Sequence, residues 1–224
     1  MPVPIRSLIP ALLLCCLALA STAARAGDEI SPAEHRVFLD EHLKNVAGAA
    51  EVRYTFTSKA AAQDSYSDQV TLKVGAGARE QRSVDVDYLT GARHMKLASI
   101  EGGTGNPVIL YFLEHDIRDM HDRLGGQSAY FRKRIRLALA DRATIRPVKI
   151  PYGKRTVDGQ EVTISPYVDD PLKDRLKQFA TKTYVFTLSD AVPGGVYELR
   201  THVEAGADAE PAIDTSLKLG GGST

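Results

Sequence analysis

Four cations fall within five residues at Arg132-Lys133-Arg134 and Arg136, beside the apolar Phe131 and Ile135. On a helix this spacing makes a basic amphipathic face, which suits an anionic lipid headgroup or an acidic partner. The competing reading is a solvated face whose Arg and Lys stems lie over the edge of the core. His115, Asp119 and Asp122 are spaced by four and then three, so one helical face would carry three metal-compatible groups. That stretch also sets Glu114 four before Arg118 and Asp119 four before Arg123, the texture of a solvated ion-paired face. No HExxH motif is present, and His121 points away from that face. Gly102-Gly103-Thr104-Gly105 precedes a helix start, where free N–H groups could hold an anion. Val108 stands where a dinucleotide fingerprint needs Gly or Ala, and the Gly-Lys-Ser/Thr of a P-loop is absent. Ser128, in Gly-Gln-Ser-Ala-Tyr, lacks the second glycine of a nucleophile elbow. His35, His42, His94 and His202 are scattered, with no nucleophile paired to any of them. These residues favour noncatalytic binding, with no cofactor and no metal; a catalytic set would have to assemble across the fold.

The elements that must position these groups follow from period. Ser31-Pro32-Ala33-Glu34 is a capping box with Pro at the first helical position. The helix it opens carries Phe38, Leu39, Leu43 and Val46 on one side and ends near Gly48. Strict alternation follows in Val52/Tyr54/Phe56, Val70/Leu72/Val74 and Val84/Val86/Tyr88, with a weaker run at Met95 and Leu97. Alternation means one wet face and one apolar face, as in antiparallel hairpins. Asn106-Pro107 then opens a helix with Ile109, Leu113, Ile117, Met120 and Leu124 at three- and four-residue steps. Gly125-Gly126 stops it, and Ser128 caps a second helix with Phe131, Ile135 and Ala138 facing inward. Strands resume over Thr156–Ser165, where Asp158-Gly159 predicts a type I′ turn. A short helix is predicted from Asp170-Pro171, with Leu172, Leu176 and Phe179 on one stripe. Tyr184/Phe186/Leu188 and Tyr197/Leu199/Thr201/Val203 then form a hairpin around Pro193-Gly194-Gly195. From Ala205 the chain is rich in Gly, Ala and Asp and predicts a flexible tail.

Met1–Ala26 has a single early cation, Arg6, an apolar run from Leu8 to Ala20, and the small-x-small triplet Ala24-Arg25-Ala26. This pattern predicts a secretory signal peptide cut between Ala26 and Gly27, and hence a periplasmic protein. Both cysteines, Cys15 and Cys16, lie inside that segment, so the mature fold has no disulfide and no thiolate ligand. Without Arg6 and Arg25 the chain has two more acidic than basic residues, which disfavours nucleic acid as a partner.

The order of an exported helix, alternating strands, a helical insertion and further strands resembles the periplasmic lipoprotein carriers of the outer-membrane lipoprotein-sorting (LolA-like) kind. The closest local likenesses are Gly105-Asn106-Pro107-Val108-Ile109-Leu110, at the start of that family's lid segment, and the stretch from Leu176-Lys177-Gln178-Phe179 through Val203. The family's Arg-Pro-aromatic stretch and Asp-Gly-aromatic hairpin have no counterpart between Ser58 and Ile100, so no residue role is carried over. The resemblance implies a half-open antiparallel barrel closed by helices, and binding or shuttling of a hydrophobic molecule.

The combined expectation is residues 1–26 as leader, 27–204 as one α+β domain and 205–224 as tail. The domain is a curved antiparallel sheet, a half-open barrel with helices packed on its apolar face. Asn106–Asp141 would form a lid over an apolar cavity for a lipid or acylated ligand, with Tyr54, Phe56, Leu72, Val86, Leu113 and Phe131 as candidate lining. Arg132, Lys133, Arg134 and Arg136 would meet a headgroup, an envelope protein or a membrane surface. The alternatives are a protein–protein adaptor in envelope assembly and a periplasmic hydrolase with a dispersed site.

Overall fold

A computed structural model of the chain describes residues 29–60, 65–78, 81–95, 98–206 and 211–220. The expected leader and Leu97 lie outside these residues. The described strands are β1 (Ala50–Lys59), β2 (Tyr66–Val74), β3 (Ser83–Tyr88), β4 (Ile100–Glu101), β5 (Thr144–Tyr152), β6 (Arg155–Ile164), β7 (Thr183–Leu188), β8 (Val196–Val203) and β9 (Ile213–Leu219). They form one antiparallel sheet in the order β4-β3-β2-β1-β9-β8-β7-β6-β5, curled but not closed.

The period-two segments bury the side chains the alternation selects. Val52, Tyr54 and Phe56 on β1, Val70, Leu72 and Val74 on β2, and Val84, Val86 and Tyr88 on β3 all point into one core. Tyr184, Phe186 and Leu188 on β7 do the same. Over this face lie α2 (Val108–Leu124) and α3 (Ser128–Asp141). Asn106 fixes the start of α2 by accepting the Val108 N–H on Oδ1 at 3.0 Å. Gly125 (φ +70°) and Gly126 (φ +87°) take the backbone out of the helix and make the elbow to α3.

Several expectations change. The capping box at Ser31 is present, but only α1 (Pro32–Glu34) is α-helical before a π turn at His35–Leu39 and a 3₁₀ turn at His42–Asn45. The wider π turn advances the phase, so Val37 is buried while Leu39 stays 48% exposed. The predicted turn at Asp158-Gly159 is instead the middle of β6, with Val148 opposite Gly159, and the chain reverses at Gly153 (φ +61°). Gly159 is a packing glycine: a Cβ there would lie 2.3 Å from Ile150 Cδ1 and 2.8 Å from the Leu188 carbonyl oxygen.

The predicted helix after Asp170-Pro171 shrinks to α4 (Lys173–Leu176) and a 3₁₀ turn, Lys177–Thr181. Leu172 leaves the stripe and is largely exposed, while Leu176 and Phe179 are buried. The largest correction is the tail. Ile213–Leu219 is β9, paired to β1 through Phe56↔Leu217 and to β8 through Leu199↔Leu217. Ile213 and Leu217 insert into the core, and the intervening Asp, Thr and Ser had masked that alternation in composition.

Candidate functional site

The α2–α3 hairpin brings the candidate cavity residues together as packing, and among the described residues they share no cleft. Tyr54, Phe56, Leu72, Val86, Leu113 and Phe131 all belong to one buried cluster. Tyr54 and Phe131 also touch clefts, but different ones. In this closed arrangement the helices fill the concave face.

The basic cluster divides into two pairs. Arg132 forms a forked bond to Glu114, with Nε at 2.7 Å and Nη2 at 2.6 Å. Arg134 sets Nε 2.7 Å from the fully buried Asp170 carboxylate and donates from Nη2 to the Pro166 carbonyl oxygen at 3.0 Å. Lys133 and Arg136 are exposed and have no ion pair among the described residues. Two of the four proposed headgroup cations are therefore fasteners of the fold.

The metal-spaced face is not assembled either. His115 turns inward and Asp119 binds Arg123 through Nε at 2.8 Å. Among the described residues no group of three or more His, Cys, Asp or Glu could hold a metal ion. The glycine-rich loop is structural: Gly102 N–H bonds the Arg82 carbonyl oxygen at 3.0 Å, and the Thr104 carbonyl oxygen accepts from Leu43 N–H at 3.0 Å. His42 belongs to a buried polar knot. The Asn106 backbone N–H donates to its Nδ1 at 3.3 Å, and Nε2 lies 2.9 Å from the Arg36 carbonyl oxygen, so the proton sits on Nε2. Asn106 Nδ2 further donates to Tyr54 Oη at 3.0 Å and to the Gly194 carbonyl oxygen at 2.8 Å. Burial lowers the His42 pKa, and the Arg36 charge adds to that against its carbonyl bond.

Spacing had not singled out the ionic seam beneath α2. Asp116, one residue beyond His115, ion-pairs with Lys182 through Oδ1 and accepts the Tyr184 Oη proton on Oδ2 at 2.6 Å. Tyr184 Oη is also 3.5 Å from Tyr167 Oη. Burial, then the Asp116 charge, holds the Tyr184 phenol protonated far above its ordinary range. A sequence signal existed: Asp116 sits four residues before Met120 and three after Leu113, on the apolar stripe where an acid needs a partner. Beside the seam, His115 is ringed by Phe56 (centroids 5.0 Å) and Tyr88 (5.8 Å), with Tyr66 Oη 3.4 Å from its Nε2. Burial lowers the His115 pKa, so it acts as a neutral aromatic there.

The elbow of the hairpin is open. A cleft of about 330 Å³ lies between it and α4, lined by Leu124, Tyr130, Phe131, Leu172, Arg175 and Leu176. Phe131 packs edge-on to Tyr167 (6.3 Å), which leads to Tyr184 and the Asp116–Lys182 pair. A second groove of about 380 Å³ runs along the start of α2, bounded by Val37, Phe38, Ile100, Pro107 and Leu110.

No family model matches the chain, and no curated protein matches it significantly.

Proposed function

We propose that this protein binds or shuttles a lipid or acylated ligand in the periplasm, without covalent chemistry, by admitting it between the curled sheet and the α2–α3 hairpin. The observation that carries this reading is the elbow cleft. It is mostly apolar, of a volume at the small end of the ligand-pocket range of roughly 300–1,000 Å³, and its wall residues Phe131 and Leu176 belong to the core itself. A chain entering there meets side chains already committed to the hydrophobic interior. Deeper entry would part α2 from the sheet along the Asp116–Lys182 seam.

The test is native mass spectrometry, followed by organic extraction, of the chain purified gently from the periplasm. A bound lipid or acyl species is the expected result. A ligand-free mass that stays unchanged after incubation with envelope lipids would overturn the reading. That outcome would favour the adaptor reading, for which the second groove and its exposed Ile100 and Leu110 are the supporting observation.

A further inference from the structure

The two unpaired cations of α3, Lys133 and Arg136, do not line the elbow cleft among the described residues; Arg175 of α4 does. Arg175 is exposed and has no ion pair among the described residues. Lys173 and Lys177, on either side of it, are likewise exposed and without an ion pair there, and Asp174 is the one acid among residues 173–177. The acid beneath the cleft, Asp170, does not oppose this field. Its carboxylate is fully buried, sits 2.7 Å from Arg134 Nε, and accepts the Tyr130 Oη proton and the Leu172 N–H, the latter at 2.7 Å. The cleft thus has an apolar wall with one free guanidinium at its rim, set in a short basic segment.

That arrangement is complementary to a molecule with one alkyl chain and one acidic head. The geometry points to a single-chain anionic amphiphile as the ligand of the elbow cleft, its chain against Leu124, Phe131 and Leu176 and its carboxylate or phosphate on Arg175. A guanidinium is the side chain suited to this role, because its fork of N–H donors matches two oxygens of either head. The inference rests on reading the cleft as an acyl site and adds charge selectivity to it.

The test uses the full chain stripped of bound lipid, with dansyl-undecanoate and its uncharged methyl ester as fluorescent probes. The wild type should bind the acid about tenfold tighter than the ester, the size of one charge-assisted contact. Arg175→Leu, which keeps an apolar stem, should abolish that preference, read as the ratio of acid to ester affinity falling to about one. Leu172→Glu, at an exposed position, should abolish binding of both probes, by repelling the acid and by setting a charge in the apolar wall, while the thermal unfolding transition is retained. Displacement by laurate or by lysophosphatidylglycerol supports the inference, and whichever competes better names the source of the head. Equal binding of acid and ester by the wild type overturns the head-group role but leaves the acyl site standing. Probe binding that survives Leu172→Glu overturns the location. No saturable binding of either probe overturns both this inference and the function it rests on.

Discussion

Asp116 and Lys182 face each other beneath α2, both almost wholly buried, and each charge is tolerable there because of the other. Removing one partner is therefore far worse than removing both. Asp116→Ala should lower unfolding stability by about 3–5 kcal/mol in urea titration, whereas Asp116→Leu with Lys182→Met should cost only about 1–3 kcal/mol, from leaving the Tyr184 hydroxyl without its acceptor. If the double variant were as unstable as the single one, the pair would be a net stabiliser and not a compensated burden. His42 gives a pH prediction. Its pKa is about 6.5 when unfolded and lower when folded, so between those two values the unfolded chain holds more protons. Stability contributed by this group is full above about 6.5 and is lost as pH falls through the folded pKa, and His115 shifts in the same direction. Urea midpoints measured across that interval should fall with acid, and His42→Leu should flatten the slope by up to one proton. At this scale the sequence was only partly legible. The cluster at Arg132–Arg136 stood out, yet which of its members have partners depends on Glu114 and Asp170, brought in from α2 and the loop before α4. Arg175, a single cation, gave no signal.

Elements were more legible where a period ran undisturbed. The alternation in β1, β2, β3 and β7 and the apolar stripe of α2 predicted which faces are buried, because a half-wet strand or helix offers one face to the core. Readings failed where one residue type had two uses. Gly159 looked like a turn residue and is a close-packing residue between β5 and β7; Gly159→Ala should cost about 1–3 kcal/mol, measured by thermal or urea unfolding. A neutral effect would show that Ile150 can step aside. Pro147 and Pro151 concealed β5, since proline argues against a strand anywhere but an edge. On the edge they are useful. Neither can donate to an incoming strand, and Arg146 and Lys149 beside them pair with Glu161 and Asp158 across the ladder, which guards against edge-to-edge association. Lys177 holds φ +51° and ψ −133° where α4 breaks, a region that disfavours any side chain. Lys177→Gly should raise the thermal midpoint, by relief of about 1 kcal/mol of strain.

The described strands make one sheet with two free edges, and among the described residues its two halves are joined in the hydrogen-bonded ladder only through β9. β1 to β4 lie on one side of that strand and β5 to β8 on the other, with β9 paired to β1 and to β8. A chain ending at Pro211 should therefore lose the single cooperative unfolding transition of the full chain, read by circular dichroism in urea. A retained sharp transition would mean that the helices alone can hold the half-sheets together. The position of β9 also bears on biosynthesis. A polypeptide emerging from a ribosome or threading through a translocation pore presents its N-terminus first, so residues 213–219 arrive after every other strand has been made. Until then the nascent chain has two ribbons with no ladder between them. The ladder that joins them forms only once residues 213–219 are free to pair with both β1 and β8.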